Sequence, residues 1–452
     1  MQRWLILAAL ALGACAAPSD DIAARRSAPT GQLPPMKTFS IARPRAPARP
    51  NALIAKDFLD LAFRMESGRE LPVLTRFAEP ITLRVNGAAP ASLGPDLAAL
   101  LGRLQREAGI GIRRVPAAAP ANITVEIVPR ATLQRAVPQA ACFVAPRVDS
   151  WEAYRRARRS RTLDWTTLAR REKVAIFLPG DVSPQEVRDC LHEEIAQALG
   201  PLNDLYRLPE SVFNDDNFNT VLTGFDMLIL RVYYAPELRN GMSREAVADR
   251  LPAILARLNP AGQRPAPPPL PETPRAWIET IETALGPGTA PGRRRDAATR
   301  AVAIARGQGW SDTRLAFSLF AQGRLALAEN GELALASFLQ AGQIYAGSTE
   351  TRVQAAHVAM HLAAFALSAG QPDAALGVIN AHLAATARAQ NAALLATMMM
   401  IKAEALDDLG RPAEARAVRL DSLGWARYGF GADKEVRARL SDIAALSPGR
   451  RP

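Results

Sequence analysis

Lysine, histidine and cysteine are scarce in this chain. Its 452 residues carry 55 cationic side chains, of which five are Lys, beside four His, three Cys and 6% aromatics. Beyond residue 12 no apolar stretch is long enough to span a bilayer, so no transmembrane helix is expected. No glycine-rich phosphate loop is present, and no serine or cysteine nucleophile stands beside a recognisable partner. The Arg-for-Lys skew also bears on the net charge of +11. Coding bias toward Arg, Ala and Pro explains it as well as a binding surface does. Nucleic acid is set aside as a partner, because the N-terminus directs the chain out of the cytoplasm. Attraction to anionic lipid or wall polymer is the functional alternative. With 48% hydrophobic residues, the chain can bury two ordinary cores.

What is present begins with an export signal. Arg3 precedes an apolar run over 5–12, and Leu12-Gly13-Ala14-Cys15 matches the lipobox cut by the lipoprotein signal peptidase. Cleavage before Cys15 and acylation of that residue would anchor the mature chain in a membrane. Ala16 is not the aspartate that retains such proteins in the inner membrane, which favours the periplasmic face of the outer membrane. Cys142 and Cys190 then sit in an oxidising compartment and are expected to form a disulfide, with two buried free thiols as the alternative.

Composition divides the rest. Residues 1–14 are the signal, and 15–52 are the lipidated Cys and a Pro-, Ala- and Arg-rich tether too poor in apolar groups to fold. Such a coil reaches roughly 30–35 Å. A mixed α/β domain is expected over 53–256, with a helix over 55–64, a strand from Ile81 and a helix over 95–107. The strand pair GIGIRRV and NITVEIV, the strand AACFVA and the strand VAIFLPG follow, the last leading into a helix that Ser183 caps and Pro184 opens. Between the last two strands, 147–173 form an Arg-rich insertion that reads as a solvated face. The Pro-rich stretch 257–274 reads as an interdomain linker.

From 275 to 446 the periodicity is helical. Gly331, Gly370 and Gly410 recur 39 and 40 residues apart, each between two apolar helices with an Ala five residues on. This resembles tetratricopeptide repeats, which implies a stack of helix pairs used for protein contacts; the alternative is an irregular supporting bundle. His357 and His361 are spaced i, i+4 but lack a following carboxylate and read as packed side chains, and Met398-Met399-Met400 reads as helix core.

The informative stretch is CLHEEIAQALGPLND, residues 190–204. A zinc helix places two ligands at i and i+4 on one face, then a glycine turn and a third ligand. Starting at His192, the second ligand position falls on Ala196 and the register fails. Starting at Glu193, the positions are Glu193, Gln197 and Asn203, with Glu194 in the general-base place and Gly200 at the turn. Ser211-Val212-Phe213 then stands where a Met-turn would lie, and LTGFDMLILRVYY supplies Asp226, Leu230 and Tyr234 at the spacings of a matrixin closing helix. The stretch therefore resembles the metzincin peptidases with every zinc histidine replaced. EEIAQALGPLND, PESVFNDD and RVYYAPELRNGM also resemble an uncharacterised bacterial lipoprotein family, the domain of unknown function 2927, over about 55–250.

The fold class that follows is an α+β metzincin-like domain, a mixed sheet with long helices, followed by an all-α repeat domain. One carboxylate and two neutral amides hold zinc poorly, so neither a metal nor a cofactor is expected, and Glu194 would be the catalytic base only if the domain were active. A harder-cation site using Glu193, Asn203 and Asp204 is a lesser reading. The candidate cleft comprises Glu193, Glu194, Gln197, Asn203, Asp204 and Phe213. The expected function is a membrane-anchored periplasmic module that binds a protein or peptide without catalysis. A metal-dependent hydrolase with atypical ligands and a structural envelope protein are the rival classes.

Overall fold

The structure is a computed structural model that describes residues 32–40, 45–78 and 80–448. The expected signal segment and Cys15, the expected lipidation site, lie outside these residues. No described helix is long and apolar enough to cross a membrane.

The first unit is built on a five-stranded sheet. Helix α1 (Asn51–Ala62) leads to β1 (Ile81–Asn86), α2 (Leu93–Arg103), β2 (Ile112–Arg114), β3 (Ile123–Val128), α3 (Arg130–Ala136), β4 (Phe143–Pro146), α4 (Trp151–Ala157) and β5 (Val174–Pro179). The strand order is β2-β1-β3-β5-β4. β4 pairs antiparallel with β5 at one edge, and the other pairings are parallel. The strands GIGIRRV and NITVEIV are therefore not partners, because β1 lies between them. β5 is buried along its whole length, as a strand covered on both faces must be. Its alternation sorts Val174, Ile176 and Leu178 into the larger core, with α2 and α5 (Pro184–Leu199), and Ala175 and Phe177 into an aromatic cluster with Phe143, Trp151 and Tyr154. Ser183 caps α5 by accepting from the Glu186 amide, and Pro184 fills its first turn, as the sequence implied. α6 (Gly224–Tyr233), α7 (Arg244–Ala248) and α8 (Leu251–Leu258) complete the unit.

The second unit is all helical: α9 (Arg275–Leu285), α10 (Pro291–Gly307), α11 (Thr313–Ala326), α12 (Gly331–Ala346), α13 (Arg352–Ser368), α14 (Pro372–Arg388), α15 (Ala392–Asp408), α16 (Pro412–Phe430) and α17 (Asp433–Ala444). Each packs on the next in sequence. Gly370 and Gly410 adopt left-handed φ of 69° and 72°, ending α13 and α15 as glycine does at helix C-termini. Gly331 does not share that role: it is the first residue of α12, behind an Asn330 side chain that accepts from the Leu333 amide. The glycine recurrence is thus in phase for two of its three members. Gly429 permits close contact of α15 and α16, since a Cβ there would fall 2.5 Å from the Ala393 nitrogen.

One expectation about connections changes. Of the expected tether, 32–40 lie along α16 in extended conformation: Leu33 is buried in its core, the Lys37 amide donates to Gly424 O, Arg427 and Gln390 donate to the carbonyls of Pro34 and Ser40, and Phe39 stacks on Trp425 at 4.4 Å between ring centroids. Aromatic stacking and main-chain bonding hold this piece despite its coil-like composition. The Pro-rich stretch runs between the two units without helix or strand over 263–274. Beyond it the helices fold back on the sheet unit, with Gln185 bonded to Asn391, Asp96 to Tyr428 and Pro209 O to Gln354.

Candidate functional site

The site is organised by the C-terminal half of α5. Gly200 ends the helix against the Tyr233 ring, where a Cβ would lie 2.8 Å from three ring carbons, so only glycine fits. The exposed carbonyls of that last turn are taken up by Arg171. Its buried guanidinium donates to the carbonyls of Gln197, Ala198 and Gly200 and lies over the Trp165 ring. A cation at a helix C-terminus is doubly favourable, satisfying orphan carbonyls and complementing the dipole.

The face that α5 presents is acidic. Glu193 and Glu194 have ligating oxygens within 4.8 Å of each other and of Cys142 Sγ. Glu194 is 3% exposed, and its Oε2 has no hydrogen-bond partner. Gln197 Nε2 donates to Glu66 Oε1 at 3.3 Å, and the Glu66 and Asp204 carboxyls face one another within bonding reach, a contact that requires a shared proton. Tyr206 closes the group by donating to Asp215. Burial, with Asp215 and Glu66 next, pushes Glu193 up to about 8. Burial followed by neighbouring carboxylates holds Glu194 and Asp204 well above the usual carboxylate range. At neutral pH the group therefore stores protons.

The positions singled out from the sequence divide here. Glu193, Glu194 and Asp204 belong to the acidic group, and Gln197 joins it through Glu66. Asn203 does not, because its Nδ2 donates to Asp60 O at 2.9 Å and fastens the turn to α1. Phe213 is fully buried in the core, with its carbonyl accepting from the Leu205 amide. Asp226 braces that turn, accepting from Ser211 Oγ and from the amides of Val212 and Thr223, while burial pushes it up to about 6. His192 accepts from the Leu222 amide and is kept neutral by burial. The resemblance to metzincins implies zinc held at Glu193, Gln197 and Asn203. These residues do not fit it: one amide is engaged with Glu66 and the other with Asp60 O, which leaves one strong donor where a zinc centre uses three.

Sequence reasoning missed Glu66, Asp215 and Arg171. Glu66 lies in the turn after α1, 131 residues from Gln197, where no motif marks it. Asp215 falls within the segment PESVFNDD, so its signal was present though its role was not.

The helical unit covers the neighbouring loop. Tyr206 packs on Trp277 with centroids 4.9 Å apart, and Phe218 inserts among Phe317, Phe320, Tyr345 and His357. His361 stacks on Phe338, and burial pushes His357 and His361 down to about 3 and 4, so both are neutral packing groups.

With that geometry established, the comparisons place the sheet unit. Residues 51–253 match the family model for a protein of unknown function, DUF2927. The matched domain contains the disulfide between Cys142 and Cys190, whose Cα atoms are 6.0 Å apart, together with the whole acidic group. Comparison with curated proteins and with solved structures gives no match.

Proposed function

We propose that this protein is a lipid-anchored periplasmic module that binds an extended protein or peptide segment without catalysis, and that the matched domain is a degenerate metzincin-like unit. The observation that carries the reading is the seating of residues 32–40. The helical unit already holds a Pro-containing segment through main-chain carbonyls and an aromatic stack, the chemistry by which repeat proteins take peptides. In support of the metzincin-like half, a mixed sheet precedes a long helix ending at Gly200, and Asp226 braces the turn at Phe213. In support of the repeat-like half, helices stack in sequence order with glycine ends at Gly370 and Gly410. The lipobox at Cys15 carries the periplasmic, membrane-anchored part, with the outer membrane favoured.

The test is competition in trans. A labelled peptide of residues 32–40 should bind the Leu33→Ala/Phe39→Ala chain, in which the resident segment is loosened, and bind the parent chain much more weakly. Absence of binding to both chains would remove the peptide-binding reading. Acyl chains on Cys15 in membrane-derived protein, read by mass spectrometry, test the anchor separately.

A further inference from the structure

The disulfide and the acidic face of α5 meet at one point that the peptide-binding reading does not use. Cys190, Glu193 and Glu194 are spaced i, i+3 and i+4, so they share one side of α5. Cys142 arrives from the start of β4, and its sulfur lies within 4.8 Å of ligating oxygens of both glutamates. Glu194 is nine-tenths buried and has an unpartnered oxygen in this group. A buried polar atom left without a partner carries a desolvation cost that a ligand would relieve.

We propose that these residues form a zinc-class site that the disulfide keeps closed: in the dithiol state Cys142, Glu193 and Glu194 bind one zinc-like divalent cation, with Cys190 as the nearest further donor. Thiolate and carboxylate donors in a tetrahedral set suit zinc, whose bonds of about 2.3 Å to sulfur and about 2.0–2.2 Å to oxygen require only a modest closure of the observed group. While Cys142 is bonded to Cys190 it has no thiolate to offer. Opening is a two-electron step. An external dithiol breaks the Cys142–Cys190 bond, supplies two electrons and two protons, and leaves as its own disulfide. The cation then displaces to solvent the proton of each ligating group that carries one. The site differs from the ligand positions of the metzincin resemblance, two of which are engaged elsewhere.

Cys190→Ser frees the Cys142 thiol in the full chain without a reductant. Titrated with zinc alone under oxidant-free conditions, this variant should bind one equivalent, and cobalt in its place should give thiolate charge-transfer absorption. Adding Glu194→Gln should weaken zinc by about tenfold or more, a loss usual even for groups one bond removed from a metal. Adding Cys142→Ser should abolish binding and the cobalt band, and the disulfide-bonded parent should show neither. The proposal is overturned if Cys190→Ser binds no zinc, if Glu194→Gln leaves its affinity unchanged, or if the disulfide-bonded parent binds as tightly. Should Cys190→Ser lose its fold without metal, zinc must restore a cooperative melting transition; failure to do so also overturns the proposal. Peptide binding by the helical unit is read by a different assay and can fail or succeed independently.

Discussion

Two buried groups of carboxylates lie on α1 and just past it, and they meet different neighbours. On the helix itself, Asp57 and Asp60 meet Arg207, which donates to both at 2.8 Å, while Arg49, Lys56 and Arg244 add further cations. Burial alone would raise Asp60, but Lys56, Arg244 and Arg207 together hold it below the usual range, whereas at Asp57 burial outweighs Arg49 and Arg207 and raises the carboxyl. Just past the helix, Glu66 faces Asp204, Glu193 and Asp215, and in this group burial raises every carboxyl. The first group is an ion network that welds α1 to the following loops. The second is a desolvated acidic pocket whose carboxyls face mainly one another, relieved in part by Gln197 at Glu66 and Tyr206 at Asp215. Natural proteins satisfy buried charges by pairing, so carboxyls that face mainly one another stand out beside a cation-paired group.

Breaking the satisfied group should have the largest effect. Arg207→Ala strands Asp57 and Asp60 without their shared partner and should cost roughly 3–5 kcal/mol, measured by denaturant titration; a change below about 1 kcal/mol would mean that the network is not a structural unit. Next comes the covalent clamp. Removing the disulfide with Cys142→Ala/Cys190→Ala opens a loop of 48 residues and should lower stability by roughly 2–4 kcal/mol with a clear drop in melting temperature. Two freely alkylatable thiols in protein from its native source would argue against the clamp itself.

The pH response sharpens the contrast. Glu193 is raised in the fold to about 8 from an ordinary value of 4.5, so its contribution is fully present below the unfolded value and is lost as pH rises through the folded one. Melting temperature should therefore fall between about pH 5 and pH 8, and Glu193→Gln should flatten that slope. Asp60, held low, works in the opposite sense: its contribution is present above the ordinary carboxylate value and is lost as pH falls below it. The smallest effect is expected for Glu194→Gln, because an amide there removes the need to keep a carboxyl protonated. It should change stability by under about 1 kcal/mol, against a larger loss for Asp57→Asn.

Much of the sheet unit was legible because local chemistry specified it. The apolar run of β5, the Ser183-Pro184 start of α5 and the cysteine pair each depend on neighbours in sequence or on compartment. Strand adjacency was not legible, since nothing within GIGIRRV or NITVEIV reveals that β1 slots between them. Residues 32–40 were misjudged for a related reason: their composition is that of coil, and the partners that order them, Gln390, Gly424, Trp425 and Arg427, lie more than 300 residues away. At the site, the motif exposed Glu193, Glu194 and Asp204. It could not show that Asn203 is committed to Asp60 O, nor that Glu66 approaches from the end of α1.

The central claim is that the disulfide-bonded protein is a binding module without peptidase chemistry. Elemental analysis of that form, paired with a casein and gelatin cleavage assay, tests it most directly. Sub-stoichiometric zinc and no cleavage are the expected results, since Gln197 and Asn203 are spent on Glu66 and Asp60 O. One zinc per chain, together with proteolysis that Glu194→Gln abolishes, would contradict the account.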